Sequence, residues 1–227
     1  MAHSFAAIVP MRHESERVPG KNYRLFNGLP LYHHIVRTLL DCPEIDHVMI
    51  DTDSEWILED ASTHFPTVIR YVRPEALRDG MISMNEVLMN SVEQIEANFY
   101  LQTHSTNPLL KARSVSSAIR RFTEGQPEHD SLFSVTRLQA RLWDRHQRPV
   151  NHDPSQLLRT QDLEPLFEEN SCIYLFSSQS LTQNGNRIGH RPILFELDRL
   201  EALDIDTEAD FQLAEVVAQV IDRGEEP

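Results

Sequence analysis

Short apolar runs alternate along the chain with stretches whose apolar residues recur at helical spacing. Phe5-Ala6-Ala7-Ile8-Val9 is continuous enough for a strand buried on both faces, and it stops at Pro10. Pro30 can open a helix as its first residue, with Leu31, Ile35 and Leu39 on one face. His47 to Asp51 reads as a second strand, and Thr52 with Glu55 as a capping box for a helix carrying Ile57, Ala61 and Phe65. Thr67 to Val72 predicts a third strand. Ser83 and Glu86 form another capping box, ahead of Val87, Ser91, Val92 and Ile95. Phe99 to Gln102 is a fourth strand, Val115, Ala118, Ile119 and Phe122 a helical stripe, and Leu132 to Thr136 a fifth strand. This repetition predicts an α/β fold, a mostly parallel sheet with helices on both faces.

The repetition breaks after Arg137. Arg141 to Pro165 is polar, contains Trp143, Pro149, Pro154 and Pro165, and shows no sustained period. It is too long for an ordinary connection and is expected to be a binding loop, a lid or an oligomer arm. Regular patterning resumes at Cys172 to Phe176 and around Ile193 to Leu197. A last helix carries Phe211, Ala214, Val217, Ala218 and Ile221, and the tail Gly224-Glu225-Glu226-Pro227 is expected to fray.

Composition narrows the classes. The 227 residues suit one large domain with its own core. A formal charge of −14 argues against nucleic-acid binding, which needs a basic footprint. Cys42 and Cys172 lie far apart, in no metal-like spacing, which fits a reducing cytosol better than a disulfide framework. Cys172 reads as a small core residue. No charged-then-apolar leader opens the chain and no run approaches a membrane span, so a cytoplasmic protein without a membrane partner is expected.

Against this acidic background the segment after the first strand stands out: Met11-Arg12-His13-Glu14-Ser15-Glu16-Arg17-Val18-Pro19-Gly20-Lys21-Asn22. Ligands of open α/β sheets bind at the carboxyl ends of strands. Arg offers phosphate a bidentate fork and Lys a point charge. Taken singly, Arg17 or Arg24 reads more simply as a solvated charge. Asp51-Thr52-Asp53 ends the second strand, where an Asp could face a ligand or, slightly favoured, cap the next helix. Gln102-Thr103-His104-Ser105-Thr106-Asn107-Pro108 follows the fourth strand with uncharged groups that can read a base or sugar edge, or form a plain turn. In Asp204-Ile205-Asp206 the alternation of an extended chain puts both carboxylates on one side, a donor set suited to Mg2+. The plainer alternative has Asp206 or Thr207 capping the last helix, with Asp210 at its N-terminal end. There is no P-loop, since Gly20-Lys21 runs into Asn22, no Gly-x-Gly-x-x-Gly among the 7 glycines, and no zinc-like His/Cys spacing.

In order along nearly the whole chain, these segments resemble the acylneuraminate cytidylyltransferases (CMP-N-acetylneuraminate synthetases). The first loop is similar to that family's Ala-Arg-x-x-Ser-Lys-Arg-x-Pro-Gly-Lys-Asn, and Gly28-Leu29-Pro30-Leu31 to its Gly-x-Pro-Leu. Asp51-Thr52-Asp53-Ser54 resembles its Ser-Thr-Asp-Ser. Arg73-Pro74-Glu75-Ala76-Leu77, with Asp79 and Ser83 beyond, resembles its Arg-Pro-x-x-Leu block. Leu101-Gln102 through Pro108-Leu109 resembles Leu-Gln-x-Thr-Ser-Pro-Leu. Arg159-Thr160-Gln161 and Asn170-Ser171-Cys172-Ile173-Tyr174 are similar to Arg-x-Gln and Asn-Gly-Ala-Ile-Tyr. Asp204-Ile205-Asp206-Thr207-Glu208-Ala209-Asp210 is similar to Asp-Ile-Asp-Thr-x-x-Asp.

The resemblance implies a GT-A/Rossmann-like nucleotidyltransferase fold: one cytidylyltransferase domain over 1–227, with 138–168 as an inserted dimerisation or lid extension and a homodimer as the assembly. It implies transfer of CMP from CTP to the anomeric hydroxyl of a sialic-acid-like 2-keto sugar acid, with Mg2+ or Mn2+ and release of pyrophosphate. Arg12, Lys21 and Asp206 would be catalytic. Arg12, Ser15, Arg17, Lys21, Asn22, Arg73 and Ser83 would bind the nucleotide. Gln102, Thr103, Ser105, Arg159, Gln161 and Asn170 would face the sugar acid, and Asp204 and Asp206 would hold the metal. Four departures accompany the match: Glu16 replaces a Lys, the Gln102–Pro108 loop carries two extra residues, Leu110 and then Lys111 stand where an Arg is expected, and Ser171 replaces a Gly. They leave open a different acidic acceptor of the pseudaminic, legionaminic or octulosonic type, the last disfavoured because its acidic loop after the fourth strand is missing. A homologue that binds nucleotide without catalysis is the alternative that Glu16 raises.

Overall fold

A computed structural model of the chain describes residues 3–223, so the tail expected to fray lies outside the described residues. In chain order the elements are β1 (Phe5–Met11), β2 (Leu25–Phe26), β3 (Leu29–Pro30), α1 (Leu31–Leu40), β4 (His47–Thr52), α2 (Glu55–His64), β5 (Ile69–Val72) and α3 (Met84–Val92). Then follow β6 (Phe99–Gln102), α4 (Ala112–Glu124), β7 (Ser131–Leu138), β8 (Leu166–Phe176), α5 (Ser178–Asn184), β9 (Pro192–Glu196) and α6 (Glu208–Asp222). One sheet has the order β5-β4-β1-β6-β8-β7-β9. Its strands run parallel except β8, which pairs antiparallel with both β6 and β7. No helix among the described residues is long and apolar enough to cross a membrane.

β1 is buried along its whole length because helices cover both faces of the sheet. Its residues alternate between two cores. Ala7 and Val9 pack with Tyr32, Ile35, Ile57, Ala61, Val115 and Phe122 from α1, α2 and α4. Ala6 and Ile8 pack with Leu88 of α3 and Leu181 of α5. A third core joins α6 to the first loop and the small β2–β3 hairpin through Val18, Phe26, Leu31, Ile205 and Phe211. That hairpin turns at Asn27-Gly28, both at positive φ (45° and 84°), as a tight two-residue turn requires.

Two local expectations change. The cap of α2 is Ser54, whose Oγ accepts from Ile57 N at 3.3 Å, rather than Asp51 or a Thr52/Glu55 box. The strand continues through Thr52, so the first residue free to leave extended geometry lies further on. β8 begins at Leu166 rather than Cys172, because its outer half is a half-exposed antiparallel partner of β7 and lacks a continuous apolar run. The aperiodic stretch therefore connects two paired strands, Leu138 lying opposite Leu166, and holds only a short 3-10 turn at Thr160–Asp162 and a bridge between Trp143 and Pro149. The Ser83/Glu86 box forms as expected.

Candidate active site

The chain changes direction across the sheet at β1, with β4 and β5 to one side and β6 to the other. Such switch points leave a crevice beyond the strand ends. Here it is an open cleft of about 830 Å3, bordered by the loops after β1, β4 and β6. The first loop turns tightly at Gly20, where Tyr23 N and Arg24 N both donate to its carbonyl. Gly20 sits at φ +65°, and a Cβ there would lie 2.7 Å from the Tyr23 ring, so any other residue would be strained and would push that ring aside. The loop is pinned to the end of β4 by His13 N donating to Asp53 Oδ1 at 2.7 Å and by His13 Nδ1 against Ser54 Oγ at 2.7 Å. Asn22 ties it to the loop after β6, donating to Arg12 O and accepting from Ser105 Oγ, each at 2.7 Å.

Opposite this loop stands Asp204-Ile205-Asp206. Ile205 is fully buried in the third core and its N–H donates to Thr106 O at 3.0 Å. With the middle residue anchored inward, the flanking carboxylates face the cleft. Thr207 and Asp210 form the capping box of α6, so the cap does not use the Asp206 carboxylate. Lys21 reaches across, its Nζ donating to Ile205 O at 2.6 Å, and Arg17 pairs with Asp206 at 2.6 Å. Burial holds the Lys21 ammonium below its usual pKa against the pull of Asp204 and Asp206. Burial, and then the neighbouring Asp206 charge, push Asp204 above the carboxylate range despite a hydrogen bond with Thr106. Asp204 Oδ1 is buried without a hydrogen-bond partner. Two hard oxygen donors, one of them unsatisfied, fit a divalent cation such as Mg2+.

The structure thus brings Arg12, Ser15, Arg17, Lys21, Asn22, Asp204 and Asp206 to one cleft. Arg73 also borders it, but its guanidinium is 2% exposed and engaged with Asp51, donating from Nε to Oδ1 at 2.8 Å and from Nη2 to the carbonyl at 3.0 Å. Ser83 caps α3, one residue before cleft-lining Met84. Gln102, Thr103 and Ser105 lie buried behind the cleft wall. Arg159 and Gln161 sit in the aperiodic segment, where Arg159 pairs with Asp162, and neither reaches the cleft of its own chain. Asn170 borders a second hollow of about 560 Å3 that shares Ser171, Asp204 and Asp206 with the first. Its amide joins β7 to β8, accepting from Ser134 Oγ and donating to Thr136 Oγ1.

Residues the sequence did not single out complete the walls. Arg78 lines the cleft beside Asp79 of the Arg73 block, and Gly80 lets Arg12 pass, since a Cβ there would lie 2.8 Å from Arg12 Nη1. Arg199 borders the second hollow. Neither Arg78 nor Arg199 itself stands at a position that a sequence pattern marks out. His104 faces the cleft as a neutral imidazole: burial, then Arg187 and Lys21, push its pKa down to about 4. The Gln102 amide N–H can only donate to His104 Nε2, 3.1 Å away, which leaves the ring proton on Nδ1.

Ser171 explains one departure from the family pattern. It lies at φ +61° beside a register shift in the β7–β8 pairing, a conformation that suits Gly. Ser171→Gly is expected to raise stability by up to ~1 kcal/mol in urea unfolding. A clear loss instead would mean that the Tyr174 hydroxyl contact to Ser171 Oγ outweighs the backbone strain.

Residues 6–221 match the protein-family model described as Cytidylyltransferase. The chain is 26% identical over 217 residues to N-acylneuraminate cytidylyltransferase A of Danio rerio, covering 92% of this chain and 50% of that protein. It is 25% identical over 224 residues to pseudaminic acid cytidylyltransferase of Campylobacter jejuni, covering 94% of this chain and 95% of that one. It therefore spans about half the length of the first relative and nearly all of the second. Its fold is similar to that of a CMP:2-keto-3-deoxy-manno-octonic acid synthetase solved in complex with CTP, with a TM-score of 0.72 at 14% identity over 95% of this chain and 98% of that one.

Proposed function

The chain belongs to the cytidylyltransferase family, and from that premise we propose that it transfers CMP from CTP to the anomeric hydroxyl of an acidic 2-keto sugar. The observation that carries this reading is the convergence of the Arg12/Lys21 loop and the Asp204/Asp206 pair on one cleft. The anomeric hydroxyl gives up its proton to solvent as its oxygen attacks the α-phosphorus, the bond from that phosphorus to the bridging oxygen breaks, and pyrophosphate leaves. Such a reaction needs positioning and charge stabilisation more than covalent help. Arg12 forks onto phosphate oxygens and Lys21 adds a nearly buried point charge, held in place by Ile205 O. Asp204 and Asp206 would hold Mg2+ or Mn2+, which when bound neutralises phosphate charge. The triphosphate takes the larger hollow and the sugar acid the smaller one, where Arg199 faces its carboxylate; the two meet at the aspartate pair.

N-acetylneuraminate is the first acceptor to test. The Campylobacter relative and the two-residue insertion after Gln102 favour a pseudaminic- or legionaminic-type acid as the second. The 138–168 segment supports a homodimer, since Trp143, Val150, Leu157 and Phe167 in it leave apolar surface exposed. Cys42 and Cys172 are buried free thiols, which fits a reducing, cytoplasmic compartment. Pyrophosphate release should depend on CTP over ATP, GTP and UTP, on Mg2+ or Mn2+, and on one member of a panel of keto sugar acids. No turnover with any acid, together with no CTP-induced rise in melting temperature, would sink the proposal.

A further inference from the structure

A second polar cluster lies away from the cleft, between α1 and α2. His33 projects from α1, while Asp60 and His64, four residues apart on α2, share one helical face. His33 Nε2 lies 2.6 Å from Asp60 Oδ2, and His64 Nδ1 lies 3.1 Å from Asp60 Oδ1 and 3.0 Å from the Asp60 carbonyl, a hydrogen bond that the ring would give up on binding metal through that nitrogen. One ligand atom from each residue falls within 4.8 Å of the other two. Zinc bound to nitrogen and oxygen at about 2.0–2.2 Å separates its ligands by roughly 3.4 Å, so shifts of about 1 Å in the side chains would bring the three groups onto one ion. We propose that His33, Asp60 and His64 form a binding site for a borderline divalent transition metal, Zn2+ foremost, bridging α1 and α2.

The surroundings suit such an ion. His33 is 2% exposed, walled by the Tyr32 and Phe65 rings, while the His64 side chain is about half exposed and leaves a solvent path to the metal. Tyr32 OH donates to Asp60 Oδ2, the kind of outer contact that orients a ligating carboxylate. Two imidazoles and a carboxylate select zinc-like ions over Mg2+. Water completes the coordination. The three ligands come from two helices, so no spacing in the sequence announces them. The start of α1 is also tied to the first loop, Tyr32 N donating to Asn22 O and Leu31 N to Arg24 O. An ion joining the helices would therefore brace the loop that carries Lys21.

This site is independent of the reading proposed for the cleft, and its test uses Zn2+ alone. Chelator-treated protein titrated with Zn2+ should bind it at this site, and its melting temperature should rise by about 5–10 °C once Zn2+ exceeds its Kd a hundredfold. His64→Ala, a change at a half-exposed helix end, should abolish that rise. Asp206→Ala should keep it. No rise, or a rise that survives His64→Ala, overturns the proposal and leaves the cluster as a hydrogen-bonded helix contact. A rise lost only in Asp206→Ala also overturns it, by placing the ion in the cleft.

Discussion

Asp206→Ala should lower kcat/KM for CTP-dependent pyrophosphate release by at least ~10²–10³-fold, the loss expected when preorganised charge is removed from a phosphoryl-transfer site. Asp204→Asn should do the same for a separable reason. Asp204 is half-buried beside a second carboxylate, and its buried Oδ1 has no partner, so in the free protein its charge strains the fold. A neutral, nearly isosteric amide relieves that strain, and the melting temperature should hold or rise while activity collapses. Steady-state kinetics and a melting curve on the same sample decide the matter. If activity survives in Asp206→Ala, or falls only as far as stability falls, the pair is structural and the proposed reaction loses its metal site.

The largest expected stability effect lies one strand away. Arg73 and Asp51 are 2% and 1% exposed and bonded at 2.8 Å, with Ser91 Oγ donating to the second carboxylate oxygen at 2.6 Å. Removing one partner leaves the other charge buried and unpaired. Arg73→Ala or Asp51→Ala should therefore each cost about 3–5 kcal/mol, or roughly 6–20 °C in Tm for a chain of this size. The double variant should cost clearly less than the sum, because neither charge is then stranded. If instead Arg73→Ala leaves stability intact and raises KM for CTP, the guanidinium belongs to the nucleotide and not to the sheet. Urea unfolding of the three variants separates these outcomes.

The Arg73–Asp51 pair also marks what the sequence reveals and what it does not. The β-α alternation is legible because each apolar run and helical stripe is local. The first loop and Asp204-Ile205-Asp206 are legible too, since charged residues at strand ends and alternating carboxylates are short-range patterns. Partnerships are not. Arg73 resembles a nucleotide ligand in its motif, yet β4 and β5 lie side by side and bring Asp51 within reach across 22 positions. Gln102 and Thr103 read as sugar contacts because they are polar and follow a strand, whereas the fold buries them fully. The β2–β3 hairpin escaped notice because its two-residue strands are too short for a period to show. The antiparallel course of β8 is set by its pairing with β6 and β7 rather than by any residue within it.

The contact from Lys21 to Ile205 spans 184 positions, and Arg17 to Asp206 spans 189. On a ribosome, synthesis runs from the amino end at about 5–20 residues per second, so the cationic loop waits on the order of ten seconds or more for its opposite wall. A nascent chain halted before Leu203 can close β1, β4 and β6 into a sheet while still lacking both aspartates. The cleft is therefore among the last parts of the molecule to be completed, and the proposed turnover of nucleotide has to wait until α6 has left the exit tunnel and packed against the loop.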